Sequence, residues 1–179
     1  MQATESVVTP HLFTVEEYMK LDIDDRTELI EGVIYDVSPK NQPHVLAVGR
    51  LVRALNRGLS DEFFVSAQDP IALDGWTGKN APEIDVAVVV EKPYDTTATA
   101  ADAVAFIEVS DTTYASDKRW KIPLLVASGI PVWHVNIRAR CVEFYDRGAD
   151  LQDPRIFDET EDLEILGVTI PVSSLFRAT

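Results

Sequence analysis

The stretch Ile84-Asp85-Val86-Ala87-Val88-Val89-Val90, together with Ala103-Val104-Ala105-Phe106-Ile107-Glu108-Val109, decides how this chain folds. Both stretches are rich in β-branched residues, and such runs are typical of strands buried in the centre of a sheet. Each run contains one acidic residue, Asp85 in the first and Glu108 in the second. A buried carboxylate costs free energy unless it is paired, protonated or bound to a metal ion. Two such residues on separate strands, followed by a helix that carries Lys121, indicate a functional site.

The length and composition of the chain limit the class of protein. The 179 residues fit one domain with a sizeable core. No run of about 20 apolar residues is present, so no transmembrane helix is expected, and the N-terminal segment lacks the features of a secretory signal. Cys141 is the single cysteine, which excludes an internal disulfide and a cysteine-based zinc site. We therefore expect a cytoplasmic protein with no membrane partner.

The formal net charge of −14 bears on the partners of the protein. It weighs against broad, nonspecific binding of phosphates, which requires many Lys and Arg side chains. It does not exclude a local basic groove, because the electrostatic field depends on how charges are distributed. The charge favours cation binding, although solubility alone is an equally good explanation.

The first half of the chain predicts a tail, two helices and a hairpin. We expect a flexible tail over residues 1–12 and a single domain over residues 13–179. The sequence Thr14-Val15-Glu16-Glu17 has the capping-box pattern, which predicts a short helix. Residues 28–37 predict a hairpin with its turn at Glu31-Gly32. Apolar residues at helical spacing predict a second helix from Pro43 or His44 to Leu59.

The remaining elements alternate strands with one helix. Ser116 is a plausible N-cap for a helix over residues 117–127 that contains Lys121, and Pro123 is an unfavourable residue inside it. Strands are predicted at residues 63–67, 71–73, 132–137 and 140–145, with short edge strands at 163–166 and 168–172.

The two acidic residues can meet if their strands are neighbours. Side chains alternate between the faces of a strand, so Asp85 shares a face with Ala87 and Glu108 shares one with Phe106. Two convergent carboxylates, with a backbone carbonyl and water, suit Mg²⁺ or Mn²⁺. Such an ion lowers the pKa of bound water and polarises a phosphoryl oxygen. The ammonium group of Lys121 can orient the nucleophile or stabilise developing negative charge.

The order of several short motifs resembles a known nuclease superfamily. Pro82-Glu83-Ile84-Asp85, Glu108-Val109-Ser110 and then Asp117 and Lys121 are similar to the motifs of the PD-(D/E)XK nucleases. More narrowly, residues 13–176 resemble the Uma-type family of restriction endonucleases. The segments that carry this narrower resemblance are Glu28-Leu29-Ile30-Glu31-Gly32, Pro43-His44, the Asp85 strand, Glu108-Val109-Ser110-Asp111-Thr112-Thr113, Asp117 to Lys121 and Gly129-Ile130-Pro131-Val132-Trp133.

The resemblance implies an α/β (α+β) fold with a restriction-endonuclease-like core, in which helices flank a mixed β-sheet. It implies that Asp85 and Glu108 bind Mg²⁺ or Mn²⁺, that DNA is the substrate, and that a homodimer is plausible. The lysine of the superfamily normally falls at position 110, where this chain has Ser110, and the resemblance transfers that role to Lys121. Glu31 matches the acidic residue of the family's hairpin and is expected to be a second metal or water ligand.

Structural explanations compete with each of these assignments. Asp85 can be satisfied by backbone donors or an arginine, and Glu108 can form a structural ion pair with Lys121 or Lys118. Asp117 and Lys121 have the spacing of a helix-surface salt bridge. We expect His44 to be a cap or surface residue. His134, Trp120 and Trp133 are expected to be structural, with both tryptophans in the core.

Two classes of function follow. The first is a metal-dependent endonuclease that hydrolyses phosphodiester bonds in DNA, with Asp85, Glu108, Lys121 and Glu31 in the catalytic site. The alternative is a non-catalytic binding or assembly module on a nuclease-like fold, which the negative charge and Ser110 favour. The sequence does not separate DNA from RNA or a small nucleotide as the substrate.

Overall fold

The structure is a computed structural model that describes residues 9–23 and 26–176. The tail expected at residues 1–12 therefore lies mostly outside the described residues. Among the helices of the described segments, none is long and apolar enough to cross a membrane. The helices are α1 (Val15–Tyr18), α2 (Gln42–Gly58), α3 (Tyr114–Ala127) and α4 (Val172–Leu175), with a 3₁₀ turn at Ala100–Asp102.

The strands form one central sheet and three short two-stranded pairs. In chain order they are β1 (Thr27–Ile30), β2 (Val33–Asp36), β3 (Phe63–Ser66), β4 (Asp69–Pro70), β5 (Glu83–Ile84), β6 (Val86–Val90), β7 (Ala103–Ser110), β8 (Val132–Asn136), β9 (Cys141–Tyr145), β10 (Arg155–Phe157), β11 (Asp162–Ile165) and β12 (Val168–Pro171). The six-stranded central sheet has the order β10-β9-β8-β7-β6-β3. Only the β7–β8 pair within it is parallel, so the sheet is mixed, as expected.

The two strands with the acidic residues are neighbours at the centre of this sheet. Strand β6 pairs antiparallel with β7, with Val86 opposite Ile107 and Ala87 opposite Phe106. Since β-branched and aromatic side chains pack well on a pleated surface, the apolar runs that predicted these strands also fix their central place.

Helices cover both faces of the central sheet. Val88 and Ile107 pack with Leu51 and Leu55 of α2 in one buried cluster. The opposite face of the sheet packs against α3. There Ala87, Val89 and Phe106, which alternate with the residues of the first face, form a second buried cluster with Ile122 and Leu125 of α3. Glu108 is two residues from Phe106, so alternation places it on the α3 face. This arrangement brings a strand carboxylate and the helix lysine to the same side.

Asp85 lies at an interruption between two strands and not inside one. Strand β5 ends at Ile84 and pairs with β4, while β6 begins at Val86 and pairs with β3 and β7. Gln68 has a positive φ of 58° and donates its N–H towards the carbonyls of Ile84 (2.9 Å) and Asp85 (3.2 Å). The bend frees Asp85 from ladder pairing, so its side chain can take donors from several elements.

The predicted boundaries hold for most elements and fail for a few. The capping box at Thr14 forms, and the hairpin turns at Glu31-Gly32, as expected. Helix α3 begins at Tyr114, three residues earlier than predicted, because the Ser116 hydroxyl donates back to the Thr113 carbonyl (2.7 Å) within the first turn. Pro123 lies inside α3.

The strand expected at residues 71–73 does not form, because Ile71 and Leu73 donate their N–H groups to the irregular segment that includes Pro82 and Asn80. The C-terminal strands β11 and β12 pair with each other and are not edges of the central sheet. The edges of that sheet are β3, which was predicted, and β10, which the sequence did not reveal.

Candidate metal and nuclease site

Asp85 is fully buried and is held by donors from three parts of the chain. Its Oδ2 accepts the Val109 backbone N–H at 2.9 Å and lies 3.0 Å from His44 Nε2. Its Oδ1 accepts Lys40 Nζ at 3.2 Å. Burial by itself opposes ionisation, but the His44 hydrogen bond and the nearby lysine charges outweigh it and hold the pKa of Asp85 well below its ordinary value. Asp85 is therefore an ionised carboxylate in the interior.

Glu108 lies beside Asp85 and has the opposite pKa shift. It is 2% exposed, and its Oε2 is 3.5 Å from the Asp85 backbone nitrogen. Burial, followed by the negative charge of Asp85, raises the pKa of Glu108 to about 8, although Lys121 opposes the rise. Two adjacent buried carboxylates with pKa values displaced in opposite directions are typical of functional sites.

Lys121 reaches the carboxylates from α3. Its Nζ is 2.8 Å from Glu108 Oε1 and 3.4 Å from Glu28 Oε2. Burial would lower the pKa of Lys121, but the surrounding carboxylates of Glu108, Glu28 and Asp85 raise it above its ordinary value. The lysine is therefore a cation at the centre of the acidic cluster. Its contact with Glu108 is also what the structural ion-pair alternative for Glu108 predicts.

The hairpin contributes Glu28 to this cluster, and Glu31 lies apart from it. Glu31 is exposed in the β1–β2 turn with a positive φ of 51°, and its N–H donates to Asn80 Oδ1 at 2.9 Å. Glu31 lines the same cleft as Glu108 and Lys121. Glu28 is on the strand itself, where its Oε2 contacts Lys121. The role expected for Glu31 as a ligand stays a prediction.

His44 and Lys40 are site residues that sequence reasoning missed. His44 is 5% exposed and bonded to Asp85, so the expectation of a cap or surface residue is wrong. Asn41 caps α2 by accepting the His44 N–H at 3.1 Å, and this directs the first turn of the helix at the sheet. The Pro43-His44 motif was the available signal for His44, whereas nothing in the local sequence distinguished Lys40.

Ser110 occupies the position of the missing superfamily lysine and connects the site to a second polar cluster. Its hydroxyl donates to Asp117 Oδ2 at 2.6 Å and lies 2.7 Å from Nε2 of the fully buried His134. Thr113 also donates to Asp117 Oδ2 at 2.6 Å. Asp117 is thus held by hydroxyl groups, whereas the bonds of Lys121 go to Glu108 and Glu28. His134 is not among the residues that line the cleft described below, and its expected structural role stays a prediction.

Glu108 and Lys121 line a cleft of about 850 Å³, whereas Asp85 lies beneath it and is not part of the lining. Its acidic lining residues are Glu28, Glu31, Asp36, Glu108, Asp111 and Asp117, and its basic lining residues are Lys40, Arg119 and Lys121. Among the residues that the structure describes, no group of three or more His, Cys, Asp or Glu side chains is arranged to hold a metal ion. The Asp85–Glu108 pair stays a predicted cation site.

Comparisons with known proteins agree with this fold. A family model, Uma2, described as "Putative restriction endonuclease", matches residues 15–173. The crystal structure of a "putative nuclease belonging to DUF820" from Anabaena variabilis has a TM-score of 0.70 and 16% sequence identity, covering 92% of this chain and 97% of that one. At that identity the similarity establishes the fold alone. No curated protein matches the chain.

This chain has the mixed central sheet and flanking helices that the sequence predicted, and it shares its fold with this structural neighbour. The family match spans all of the elements from α1 through β12. The chain therefore belongs to the Uma2 family.

Proposed function

We propose that this protein is a metal-dependent endonuclease that hydrolyses phosphodiester bonds in DNA. The observation that carries the proposal is the buried juxtaposition of Asp85, Glu108 and Lys121, with Lys121 Nζ 2.8 Å from Glu108 and with Glu108 and Lys121 lining a cleft. Membership of a family described as restriction endonucleases supports the same conclusion.

The donor set fits Mg²⁺ or Mn²⁺. Both cations prefer oxygen ligands, and Mg²⁺ is commonly held by one or two carboxylates that leave positions for water and substrate phosphates. Asp85 and Glu108 would hold the ion, and their mutual repulsion, which raises the pKa of Glu108, is the kind of charge that a divalent cation neutralises. When bound, such an ion lowers the pKa of water and polarises the phosphoryl oxygen.

The residues of the chain orient these groups. The Val109 N–H and His44 fix the Asp85 carboxylate, which leaves little rotational freedom to lose when the site is assembled. Lys121 places a cation beside the reacting groups, where it can orient a water molecule or stabilise negative charge on the phosphoryl oxygens. Glu31, at the rim of the same cleft, is proposed as a further ligand for metal or water. We also propose a homodimer, by analogy with nucleases of this fold that pair.

Plasmid cleavage with Mg²⁺ or Mn²⁺ tests this function. Asp85→Ala and Lys121→Ala should each lower the rate at least about 100-fold, the range expected for removal of a catalytic electrostatic group. Lys92→Ala is the matched control, because Lys92 forms an exposed ion pair with Asp102 outside the cleft lining. Cleavage that persists in both site variants would remove these residues from the mechanism.

The acidic excess of the cleft and Ser110 favour the second candidate, a non-catalytic module on the same fold. Titration calorimetry separates the two candidates. The nuclease should bind Mn²⁺ at millimolar concentration or below, and Asp85→Ala should abolish the binding heat. An absence of binding by the wild-type protein would favour the non-catalytic module.

A further inference from the structure

Two exposed aromatic side chains lie along the cleft. Trp120, which the sequence suggested would be in the core, is 61% exposed, and Tyr35 is 49% exposed. Both line the cleft that contains Glu108 and Lys121. Tryptophan is highly buried on average, so an indole exposed beside a polar site requires an explanation. Trp133, in contrast, is 5% exposed in the core, as expected.

Strand register and sequence position relate both aromatic residues to the Glu28–Lys121 contact, and both line the same cleft. Tyr35 is directly opposite Glu28 in the β1–β2 register, and opposed residues of an antiparallel pair project to the same face. Trp120 immediately precedes Lys121 on α3. The aromatic groups are therefore continuous with the candidate site.

Arg119 adds a cation to this surface. Its guanidinium carbon is 4.9 Å from the centroid of the Trp120 ring, within the range of a cation–π contact. The other two basic residues of the cleft lining are engaged with buried carboxylates, Lys40 with Asp85 and Lys121 with Glu108. An arginine beside an exposed indole is a combination that contacts a base and its phosphate together.

The charge of the cleft distinguishes between nucleic-acid classes. Duplex DNA is bound largely through neutralisation of phosphates, and six acidic residues against three basic ones provide little of it. The phosphates of a single strand meet the same charges, but stacking of an unpaired base on an aromatic ring adds binding free energy that a duplex, whose bases are already stacked, does not gain. The described cleft is therefore better suited to an unpaired strand than to a duplex.

We propose that Trp120, supported by Arg119 and Tyr35, is a stacking subsite for an unpaired base, and that single-stranded DNA is the preferred substrate. This inference rests on the proposed nuclease function, which supplies the reason for DNA to enter the cleft. It predicts that the subsite contacts the base next to the scissile phosphate through the face of the base. Such a contact does not discriminate among the four bases.

The test compares ligands that differ in bases and not in phosphates. Binding of a fluorescent oligothymidylate of about 12 nucleotides is measured by anisotropy in EDTA, against an abasic strand of equal length and a duplex. Wild-type protein should bind the oligothymidylate about tenfold more tightly than either competitor. Trp120→Ala should bind the oligothymidylate and the abasic strand equally, and Trp120→Phe should retain part of the preference.

Phe64→Ala provides the matched control, since Phe64 is an exposed aromatic residue (51%) outside the cleft lining. It should leave the preference unchanged. Circular dichroism shows whether both Trp120 variants are folded. If Trp120→Ala is not folded, the test uses Trp120→Phe. The proposal is overturned if wild-type protein binds the abasic strand as tightly as the oligothymidylate, binds neither, or prefers the duplex, or if Trp120→Ala keeps the preference.

The Mn²⁺ cleavage assay separates this result from the proposed function. Cleavage that depends on Lys121, with no preference for bases, rejects the stacking subsite alone. A preference for bases that depends on Trp120, with no cleavage of either form of DNA, rejects the nuclease and leaves the subsite in place as part of a single-strand binding module.

Discussion

Helix α3 connects two buried polar clusters that differ in how their charges are balanced. The first, called the Asp85 cluster, consists of Asp85, Glu108, Lys121, Glu28, Lys40 and His44. The second, called the Glu143 cluster, consists of Glu143, His134, Tyr114, Lys118 and Tyr145. Each takes one lysine from α3, three residues apart, and each includes a carboxylate from the central sheet.

The Glu143 cluster surrounds a single carboxylate with donors. Tyr114 and Tyr145 donate their hydroxyl protons at 2.6 Å each, Lys118 Nζ lies at 2.5 Å, and His134 Nδ1 is 3.7 Å away. Burial opposes ionisation of Glu143, but these contacts outweigh it and hold its pKa well below the ordinary value of 4.5. The hydrogen bond to the carboxylate and burial raise the pKa of Tyr114 to about 12. Such a cluster stabilises the ionised form and has no surplus charge.

The Asp85 cluster instead brings two carboxylates into each other's field. Asp85 receives most of the donors, so Glu108 retains a pKa raised to about 8. The comparison shows that burial of acidic residues does not by itself identify a site. Opposed pKa shifts on adjacent carboxylates, one of which lines a cleft, mark a candidate site, because a cation bound there would offset their repulsion.

The largest difference between the clusters should appear in activity. Glu108→Gln should reduce Mn²⁺-dependent DNA cleavage at least about 100-fold, because it would remove a proposed metal ligand. Its stability should rise, because a buried carboxyl whose pKa is raised costs folding free energy above its unfolded pKa, and glutamine removes that cost. Cleavage rates and urea denaturation measure the two effects. Glu143→Gln is the control, for which we expect a loss of stability and little loss of activity. Equal losses of activity in the two variants would contradict the distinction between the two clusters.

Stability should depend mainly on the Glu143 cluster. Glu143→Gln leaves Lys118 without its buried anionic partner and weakens two tyrosine hydrogen bonds, so we expect a loss of about 2 kcal/mol in the free energy of unfolding. Urea denaturation at pH 7 measures it. A change below about 0.5 kcal/mol, the scale of surface substitutions, would show that the cluster contributes little to folding.

The pH dependence of stability should identify Glu143 directly. Because its pKa is depressed in the folded state, its contribution is fully present above the unfolded value of about 4.5 and is lost as the pH falls from there towards the folded pKa. Wild-type stability should therefore fall more steeply than that of Glu143→Gln below about pH 4.5. Parallel curves for the two proteins in urea titrations across this range would reject the assignment.

The smallest expected effect concerns the helix that supplies His44. Asn41→Ala removes the N-cap of α2 and should lower the free energy of unfolding by about 1 kcal/mol. It should also lower cleavage modestly, because the cap directs His44 at Asp85. Ser60→Ala, beyond the C-terminal end of α2, is the control for both measurements. If the Asn41→Ala variant is destabilised but fully active, the cap of α2 does not contribute to positioning His44 in the site.

Local patterns predicted much of the fold and part of the site. The apolar runs at Asp85 and Glu108 gave the two central strands, and the Glu31-Gly32 turn gave the hairpin. The helical position of Lys121 placed its amine on the correct face. Trp120 was misassigned because an apolar side chain in a helix is usually buried, and the sequence does not reveal which part of α3 borders a cleft.

The sequence by itself determined most of the strands and helices and placed Glu108 in the sheet, because these depend on side-chain periodicity and on caps only a few residues apart. Tertiary structure decided the partners of those acids. His44 meets Asp85 across 41 positions of sequence, and Glu28 contacts Lys121 while Glu31 stays at the rim. Such pairings follow from how α2, α3 and the hairpin pack on the central sheet, since the free energy of burying apolar surface, and no local signal, sets those positions.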